Sequence, residues 1–405
     1  MNEQKGTILI TGTSGRIGYP LAKRLSESFN VVGFDRRAPS HPPPSAECLY
    51  VDLTLDESLG RGLQAIRELH GNRIVSVVHL AAYYDFSGAP SPLYDEVTVR
   101  GTERLLRMLQ DFEVEQFIFS STDLVHAPSA PGQRINEDSP LQPKWPYPES
   151  KVKTEQVIHA ERGKIPAVIL RIAGVYNDLC NSIPLAQQIQ RIYEHDITAY
   201  LFPGEVSAGR QAFVHNEDLL DSIMRAIARR KELSPEVILL IGEPESPSFE
   251  ELQRDFERLI HGGTAKIFRV PTWFAKFGAV AQERLLGRPS FVKPWMVDLA
   301  TDNFELDITR ARTILGWEPK HSLRDTLPKM IPALKADPLA WYRENEIKPP
   351  LWLRELAPSV DQAKEIEPHE LMRLGKEVRR AITMPNPMAV PGPAEHKKGS
   401  EHGKT

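Results

Sequence analysis

The chain has 405 residues, and its 50 lysines and arginines against 54 aspartates and glutamates give a formal net charge of −4. A hydrophobic fraction of 41% and a charged fraction of 26% exclude a mainly disordered chain, and the near-neutral balance argues against a nucleic-acid partner, which normally requires a basic face. Two cysteines exclude a disulfide scaffold and favour a reducing, cytoplasmic setting, and no apolar run approaches the ~18 residues of an integral membrane segment.

Strand and helix patterns alternate through the first part of the chain. The predicted strands cover residues 7–11, 30–35, 48–53, 74–82, 116–121 and 166–172. The predicted helices run from the first strand to about residue 29 and then cover 57–70, 96–111 and 150–162. Such alternation predicts right-handed βαβ units and therefore an α/β fold with a parallel, doubly wound sheet.

The regularity weakens after Val175. Helices are predicted at 184–195, 216–230 and 248–260, and strands at 212–214 and 237–241. An amphipathic helix at 273–286 could lie on a membrane surface; we favour its packing on the domain or over a substrate pocket. The pattern breaks down from about residue 330, one charged helix is predicted at 360–382, and the residues from 385 are expected to be disordered.

Three glycines follow the first strand and open the first helix. In this context glycine permits a tight turn and a close approach of the backbone to a phosphate, and the helix N-terminus presents free N–H groups. The motif predicts the pyrophosphate site of a dinucleotide, and an ordinary glycine turn is the alternative. The candidate cofactor contacts in this turn are Gly12, Ser14, Gly15, Arg16, Ile17 and Gly18.

A carboxylate ends the second predicted strand. Asp35 follows the last glycine by 17 residues, where it can bind the ribose hydroxyls of NAD and repel the extra phosphate of NADP. Arg36 or Arg37 could instead hold that phosphate, or be solvated loop charges. We favour NAD and keep NADP open. Asp52 and Leu53 follow the third strand and are candidates to meet the adenine, although Asp52 could also cap the next helix.

Tyr147 and Lys151 form the candidate proton-transfer pair. Four residues apart at a helix start, they would share one face. Free tyrosine titrates near ~10, and a nearby ammonium and cationic nicotinamide would favour its phenolate. The tyrosine could then exchange a proton with a substrate hydroxyl while the nicotinamide exchanges hydride. The preceding strand ends in residues 119–122, whose hydroxyls would emerge at the carboxyl edge of the sheet.

Taken in order, these motifs resemble the extended branch of the short-chain dehydrogenase/reductase superfamily, the NAD-dependent epimerase/dehydratase group. The resemblance covers about residues 5–330. The matching segments are 11–18, Asp35, 52–53, 79–82, 101–102, 119–122, 147–151, 170–176, 213–218 and 315–319. It implies a Rossmann-type NAD(P)-binding domain at 1–175 and a smaller α/β substrate domain at 176–330 with some return to the core sheet. Beyond the resemblance, the sequence predicts a helical extension at 331–384 and a disordered tail at 385–405.

The resemblance also implies residue roles. Tyr147 would be the acid/base, Lys151 its partner and a ribose ligand, and Thr122 the hydroxyl that orients the substrate oxygen. The further cofactor contacts that it implies are Leu80, Ala81, Ala82, Thr98, Ser120 and Ile172, with Leu80, Ala81 and Ala82 acting through their backbone.

The sequence departs from the family pattern at several positions. Thr98 stands where many relatives have Asn; its hydroxyl can still bond the backbone, but a proton relay there is put in doubt. Dehydratases carry an acidic pair after the threonine, whereas Asp123 is followed here by Leu124. Gly174 replaces an amide that sugar epimerases often have. These changes disfavour a nucleotide-sugar dehydratase or galactose epimerase and leave a less polar alcohol or ketone possible.

Four side chains are candidate substrate contacts: Tyr84, Asp123, His126 and Arg210. His126 could act in the site or be a half-buried loop histidine, and Arg210 could hold an anionic substrate or be a surface charge. Cys180 could face the pocket or be a small buried filler. The histidines lack partners at metal-ligand spacing, so no metal site is predicted.

Three functions stay open at this point. The first is net oxidation or reduction of a secondary alcohol or ketone, and the second is epimerisation of a nucleotide sugar with tightly held NAD. The third is an NAD(P)-binding sensor or scaffold, against which the presence of Thr122, Tyr147 and Lys151 argues. We expect a small-molecule substrate and, as in relatives that dimerise through two helices of the cofactor domain, a homodimer.

Overall fold

A computed structural model describes residues 5–37, 46–85, 87–203, 209–264, 267–270 and 302–355. The helices predicted at 273–286 and 360–382 and the tail from 385 lie outside the described residues. Residues 1–348 form one compact unit, and the residues from 349 belong to a second.

The strands, in chain order, are β1 (Thr7–Thr11), β2 (Asn30–Asp35), β3 (Ala46–Tyr50), β4 (Arg73–Ile74), β5 (Ser76–His79), β6 (Glu113–Val114), β7 (Phe117–Thr122), β8 (Ala167–Ile172), β9 (Gly174–Tyr176), β10 (Leu201–Pro203), β11 (Phe213–His215), β12 (Glu236–Ile241) and β13 (Phe268–Val270). The α-helices are α1 (Gly18–Leu25), α2 (Asp56–His70), α3 (Arg100–Leu109), α4 (Pro146–Glu161), α5 (Ile183–Tyr193), α6 (Asn216–Ala228), α7 (Phe249–His261), α8 (Thr309–Leu315), α9 (Leu323–Ala336), α10 (Pro338–Glu344) and, in the second unit, α11 (Leu351–Glu355). A π-helix, Tyr94–Val99, leads directly into α3.

Seven of these strands form a parallel sheet in the order β12-β8-β7-β5-β1-β2-β3, which confirms the predicted doubly wound fold. The strand order reverses at β1, so the crevice for a ligand is expected outside the carboxyl ends there. Thr11 at the end of β1 pairs with Phe34 of β2 and His79 of β5, which brings these three strand ends to one edge.

Alternation along the strands divides the core into two layers. Ile8 and Ile10 of β1 pack in a cluster that includes apolar residues of α1 and α6, whereas Leu9 packs in a second cluster with residues of α2 and α3. Val97, Leu105, Leu106 and Leu109 are buried, as their helical spacing predicts. Apolar packing therefore covers both faces of the sheet, which leaves the ends of its strands for a ligand.

A helix spans the place near residue 330 at which the sequence pattern breaks down. Helix α9 continues to Ala336 although it contains Pro328 and Pro332. Both prolines lie on the exposed side of the helix, where the backbone groups that they leave unpaired can meet water. Met330 and Leu334 on the opposite side are fully buried, and this burial outweighs the low helical propensity of the sequence.

Candidate active site

The glycine turn is packed too closely for side chains at two of its positions. Gly12 has φ +76°, and a Cβ on it would lie 3.0 Å from the backbone nitrogen of Ala81. A Cβ on Gly18 would lie 2.1 Å from the carbonyl oxygen of Gly12. The first residue of α1 therefore packs directly against the turn, and no side chain caps the helix N-terminus. Ser14, Gly15, Arg16 and Ile17 complete this turn, and the arrangement fits a pyrophosphate.

Asp35 lies beside the same turn. One carboxylate oxygen accepts a hydrogen bond from the backbone nitrogen of Ser14 at 2.9 Å, and the other accepts from that of Arg37 at 3.0 Å. Each oxygen has further lone pairs, so the carboxylate can also accept from ribose hydroxyls. The Arg36 guanidinium is half-exposed and lies 3.9 Å from Asp52.

One of the two interpretations made Asp52 the cap of the next helix, and the structure shows that it does not cap that helix. Its Oδ1 accepts from the backbone nitrogen and the hydroxyl of Thr54, at 2.9 and 2.8 Å, and so forms a local turn, while Leu55 takes the N-cap position of α2. Leu53 is buried next to Gly101 of α3. The side chain of Leu53 is therefore used in packing, and only its backbone can meet a cofactor.

A buried chain of hydrogen bonds fixes the segment after β5. The Ala81 backbone nitrogen donates to the Thr11 hydroxyl at 3.2 Å, and that hydroxyl lies 2.7 Å from Nδ1 of His79. On the other side of the ring, Nε2 lies 2.8 Å from the Thr102 hydroxyl, which donates to the Thr98 carbonyl oxygen at 2.6 Å. Because Thr102 uses its only proton there, His79 must donate from Nε2 and accept at Nδ1. Burial, with the charge of Lys151, lowers the pKa of His79 to about 3 and keeps the ring neutral.

Thr98 lies in the π-helix, an irregularity that is frequent at functional sites. Its hydroxyl accepts a 3.0 Å hydrogen bond from the backbone nitrogen of Tyr83, as expected for a residue that replaces Asn while keeping a backbone contact. Leu80, Ala81 and Ala82 thus run between the Thr11 hydroxyl and the Thr98 hydroxyl with their backbone fixed at both ends.

Tyr147 and Lys151 lie on one face at the start of α4, as their spacing predicts. Lys151 is 2% exposed, and its Nζ donates to the Ser120 carbonyl oxygen at 2.7 Å. The same nitrogen lies 5.6 Å from the ring centroid of Tyr147 and 4.7 Å from that of Phe119. Helix α4 and the end of β7 therefore hold the ammonium beneath the tyrosine ring.

The electrostatics differ from the expectation that Lys151 favours the phenolate. Burial raises the pKa of Tyr147 above its ordinary range, and Tyr84 and the carboxyl of Asp123 raise it further. Burial also lowers the pKa of Lys151 to about 7, against the opposing effect of Glu155. The groups of the protein alone therefore keep Tyr147 as a neutral phenol, which can donate a proton, and the positive charge of a nicotinamide is the remaining influence towards the phenolate.

Thr122 and Asp123 occupy the end of β7. The Thr122 hydroxyl donates to Asp123 Oδ1 at 3.2 Å and accepts from the Leu124 backbone nitrogen at 3.3 Å. Asp123 is 1% exposed, and its Oδ2 has no hydrogen-bond partner among the described residues. Burial raises the pKa of Asp123 to about 7 although hydrogen bonds from Thr122 and backbone nitrogens oppose the rise. Ile172 of β8 pairs with Thr122 and is buried.

Aromatic rings surround Tyr147. The ring of Tyr84 packs edge-on against it with centroids 4.9 Å apart, and the ring of Trp145 lies 5.4 Å away. The three rings of Tyr84, Trp145 and Tyr147 form an aromatic wall. Tyr84 is 46% exposed, so one side of this wall faces solvent. Sequence reasoning included Tyr84 but missed Trp145, whose position two residues before the catalytic candidate is the only signal that the sequence offers.

A buried ionic cluster lies behind the same helix, and sequence reasoning missed it. Arg171 of β8 binds both carboxylate oxygens of Glu155, at 3.2 and 2.7 Å, and these side chains are 4% and 8% exposed. Ser121 donates to the same carboxylate. Glu155 follows Lys151 by one helical turn, and that spacing was the available signal.

His126 belongs to this cluster and is not half-buried, since it is only 1% exposed. Its Nε2 lies 3.0 Å from Arg171 Nη1, and its Nδ1 lies 3.1 Å from the Ser139 carbonyl oxygen. Because Arg171 can only donate, Nε2 accepts and Nδ1 carries the proton. Burial and Arg171 lower the pKa of His126 to about 4. Both ring nitrogens are therefore used within the protein.

Arg210 and Cys180 have contacts within the protein. The Arg210 guanidinium donates to the Ser246 carbonyl oxygen at 2.6 Å and lies 3.3 Å from the Glu251 carboxylate. Cys180 is fully buried, and burial raises the pKa of its thiol to about 12, which matches the interpretation as a buried filler. No three His, Cys, Asp or Glu side chains come together as a metal site within the described ranges.

The fold, the glycine turn with Asp35 and the Tyr147–Lys151 pair define a dinucleotide-dependent oxidoreductase. A sequence model of the NAD dependent epimerase/dehydratase family matches residues 8–242, more than half of the chain. The chain belongs to this family.

Individual relatives carry out different reactions. The chain is 25% identical to a UDP-glucose 4-epimerase of Vibrio cholerae over 327 residues, which span 79% of this chain and 92% of the relative. It is 24% identical to a 3 beta-hydroxysteroid dehydrogenase/Delta 5-->4-isomerase of Mycobacterium tuberculosis over 360 residues, 82% of this chain and 91% of the relative. The structure of a Bacillus cereus UDP-glucuronic acid 4-epimerase with UDP-glucuronic acid and NAD shares the fold, with a TM-score of 0.62 and 22% identity over 82% of this chain and 99% of that one.

These findings confirm the resemblance stated from the sequence. The protein is an NAD-dependent enzyme of the extended short-chain dehydrogenase/reductase type, an oxidoreductase or epimerase with a small-molecule substrate. The sensor or scaffold alternative is not favoured. No helix in the described part of the chain is long and apolar enough to cross a membrane.

Proposed function

We propose that the protein interconverts a secondary alcohol and a ketone on the sugar of a nucleotide sugar, with Tyr147 moving the proton. The observation that carries the proposal is the placement of Tyr147 over the buried Lys151, with the carboxyl of Asp123 near enough to raise the pKa of the tyrosine. The glycine turn and Asp35 supply a cofactor site at the same edge of the sheet.

Bound NAD would supply hydride transfer at the carbon that bears the hydroxyl, with no net change of the cofactor in epimerisation and with formation of NADH in net oxidation. Gly12, Ser14 and Gly18 would hold its pyrophosphate, and Asp35 its ribose hydroxyls. The backbone of Leu80–Ala82 and the side chain of Thr98 would form a wall of the site. The remaining cofactor contacts would be Gly15, Arg16, Ile17, Arg36, Asp52, Leu53, Ser120, Lys151 and Ile172.

Tyr147 would take the hydroxyl proton of the alcohol during oxidation and return it to the carbonyl oxygen during reduction. As a neutral phenol it is ready for the donating direction; in the other direction the positive charges of the nicotinamide and of Lys151, when that side chain is protonated, would favour the phenolate. Thr122 would turn its hydroxyl from Asp123 towards the substrate oxygen.

Asp123 would make a hydrogen bond to the substrate. Its unpartnered Oδ2 and raised pKa give a carboxyl group that carries a proton for much of the time near neutral pH and can donate it. The apolar Leu124 in place of a second acid leaves no paired base for elimination of water. This pattern supports oxidation, reduction or epimerisation over dehydration.

The substrate class rests on the relatives and the aromatic wall. Relatives act on UDP-glucose, and the rings of Tyr84, Trp145 and Tyr147 offer apolar surfaces to a sugar ring. The same wall favours a second candidate, net oxidation of a less polar alcohol, as in the hydroxysteroid dehydrogenase relative. We also propose that residues 176–330 supply most substrate contacts and that the enzyme works as a cytoplasmic homodimer.

A substrate screen tests the proposal. The protein with NAD is incubated with UDP- and dTDP-sugars and with hydroxysteroids; NADH absorbance reports net oxidation, and chromatography reports epimers formed without net NADH. Turnover of a nucleotide sugar that Tyr147→Phe abolishes supports the proposal. Turnover of a hydroxysteroid alone supports the second candidate. Undiminished turnover by Tyr147→Phe contradicts the mechanism for both.

A further inference from the structure

We propose that the segment 344–346, from the C-terminal extension, closes a strap over the cofactor crevice and thereby slows both the entry and the departure of NAD. This segment lies outside the part of the chain that the family model matches. The strap consists of Arg16 in the glycine turn, the loop 177–181 after β9, and residues 344–346.

Asn345 fixes the loop. Its side chain is 1% exposed; its Oδ1 accepts from the Asn181 backbone nitrogen at 2.8 Å, and its Nδ2 donates to the carbonyl oxygens of Leu179 and Trp341, each at 3.0 Å. One amide thus binds two backbone positions of the loop and one of α10. Glu344 adds a 3.0 Å contact to the Asn181 side chain.

Arg16 connects the loop to the glycine turn. Its Nη1 donates to the Asn181 carbonyl oxygen at 2.8 Å, and its Nη2 lies 3.4 Å from the Glu346 carboxylate. The contact joins the turn after β1 to the loop that follows β8 and β9, and β1 and β8 are three strands apart in the seven-stranded sheet.

The strands between β1 and β8 are β5 and β7, which lead into Leu80–Ala82 and Thr122. Both joined segments leave the carboxyl ends of their strands, so the contact lies at the edge at which ligands of such sheets bind. The charge of Arg16 reaches both sides of this edge. Burial raises the pKa of Tyr84, whose ring packs on Tyr147, and the pKa of Cys180 in the loop. The positive charge of Arg16 acts in the opposite direction on both pKa values.

Backbone strain is concentrated in the strap. Four non-glycine residues of the described chain have positive φ, and three of them belong here: Cys180 at 82°, Asn181 at 47° and Glu346 at 56°. Such conformations are disfavoured for residues with a Cβ, least so for Asn, and persist where surrounding contacts enforce them. A strap held by a few polar contacts against backbone strain is suited to opening and closing.

The test is the kinetics of NADH binding to the full-length protein after removal of bound cofactor, followed by stopped-flow fluorescence. Association is measured against NADH concentration, and dissociation by displacement with excess NAD. Glu346→Gln should raise both rate constants about threefold, because it removes one exposed ion pair. Asn345→Ala should raise both about tenfold, because it releases the loop. The dissociation constant should change less than about twofold.

The matched control is Glu318→Gln, which removes a comparably exposed carboxylate, 66% against 74%, that pairs with Arg312. It should leave both rate constants unchanged. The strap proposal is contradicted if neither rate constant rises in Glu346→Gln, and also if neither rises in a folded Asn345→Ala. It is equally contradicted if dissociation alone rises, which means damage to the bound site, or if association alone rises, which means that Glu346 competes for Arg16. Should Asn345→Ala fail to fold, Glu346→Gln decides the question.

Discussion

The two ends of the cofactor crevice are built in opposite ways. At the catalytic end, Lys151, Glu155 and Arg171 are 8% exposed or less and form ionic and hydrogen-bonded contacts within the core. At the strap, Arg16 and Glu346 are 35% and 74% exposed and form one loose ion pair. The difference indicates that the proton-transfer groups are preorganised, whereas the path of the cofactor must open in each binding event.

The largest expected effect is loss of the buried cluster. Arg171→Leu leaves the carboxylate of Glu155 buried without its partner and should lower the free energy of unfolding by about 3–5 kcal/mol. Urea denaturation measures it. Arg312→Leu, which removes an exposed ion pair with Glu318, is the control and should cost under about 1 kcal/mol. Equal losses in the two variants would show that the cluster is not more important than a surface pair.

The next effect is on the pH dependence of stability. Because the pKa of Asp123 rises from 3.8 to about 7 on folding, its protonation stabilises the fold below about pH 4, and this contribution is lost as the pH rises through 7. Asp123→Asn should remove a loss on the order of 4 kcal/mol between pH 4 and 8. Unfolding free energies of both proteins across this range measure it; parallel curves would contradict the assignment.

At the glycine turn, Gly18→Ala should weaken NAD binding at least about tenfold, because its Cβ would overlap the Gly12 carbonyl oxygen. Calorimetric titration with NAD measures the change. Gly60→Ala in α2, where a Cβ meets nothing within 4 Å, is the matched control and should bind NAD normally. Unchanged affinity in Gly18→Ala would mean that NAD does not use this turn.

The smallest effect is expected at the strap. Glu346→Gln should change the free energy of unfolding by less than about 1 kcal/mol, because the ion pair is largely solvated. Urea denaturation in the same buffer as for Arg171→Leu gives the comparison. A loss that approaches that of Arg171→Leu would end the distinction between a rigid catalytic end and a loosely held strap.

The sequence predicted the sheet well, because apolar alternation and glycine punctuation are local signals. The strands at 7–11 and 30–35 have their predicted bounds, whereas the third ends at Tyr50, not at residue 53, because Asp52 turns the chain. The π-helix was invisible, since its apolar spacing also fits the α-helix predicted at 96–111.

The candidate site was predictable only where residues lie close in the chain. The glycine turn and the Tyr147–Lys151 pair are short motifs, and the structure places each as a unit. The cluster around Arg171 and the strap join segments that are distant in the chain; Arg16 and Asn181, for example, are 165 positions apart. No local pattern specifies such partners, because tertiary packing alone brings them together.

The most direct test of the account follows a deuterium label from the hydroxyl-bearing carbon of a substrate found in the screen. In a single turnover, wild-type protein should transfer the label to the nicotinamide, as detected by mass spectrometry. Tyr147→Phe should bind NAD normally and transfer the label at least about a hundredfold more slowly. Transfer at the wild-type rate by Tyr147→Phe, or label that appears in water and not in the nicotinamide, would contradict the account.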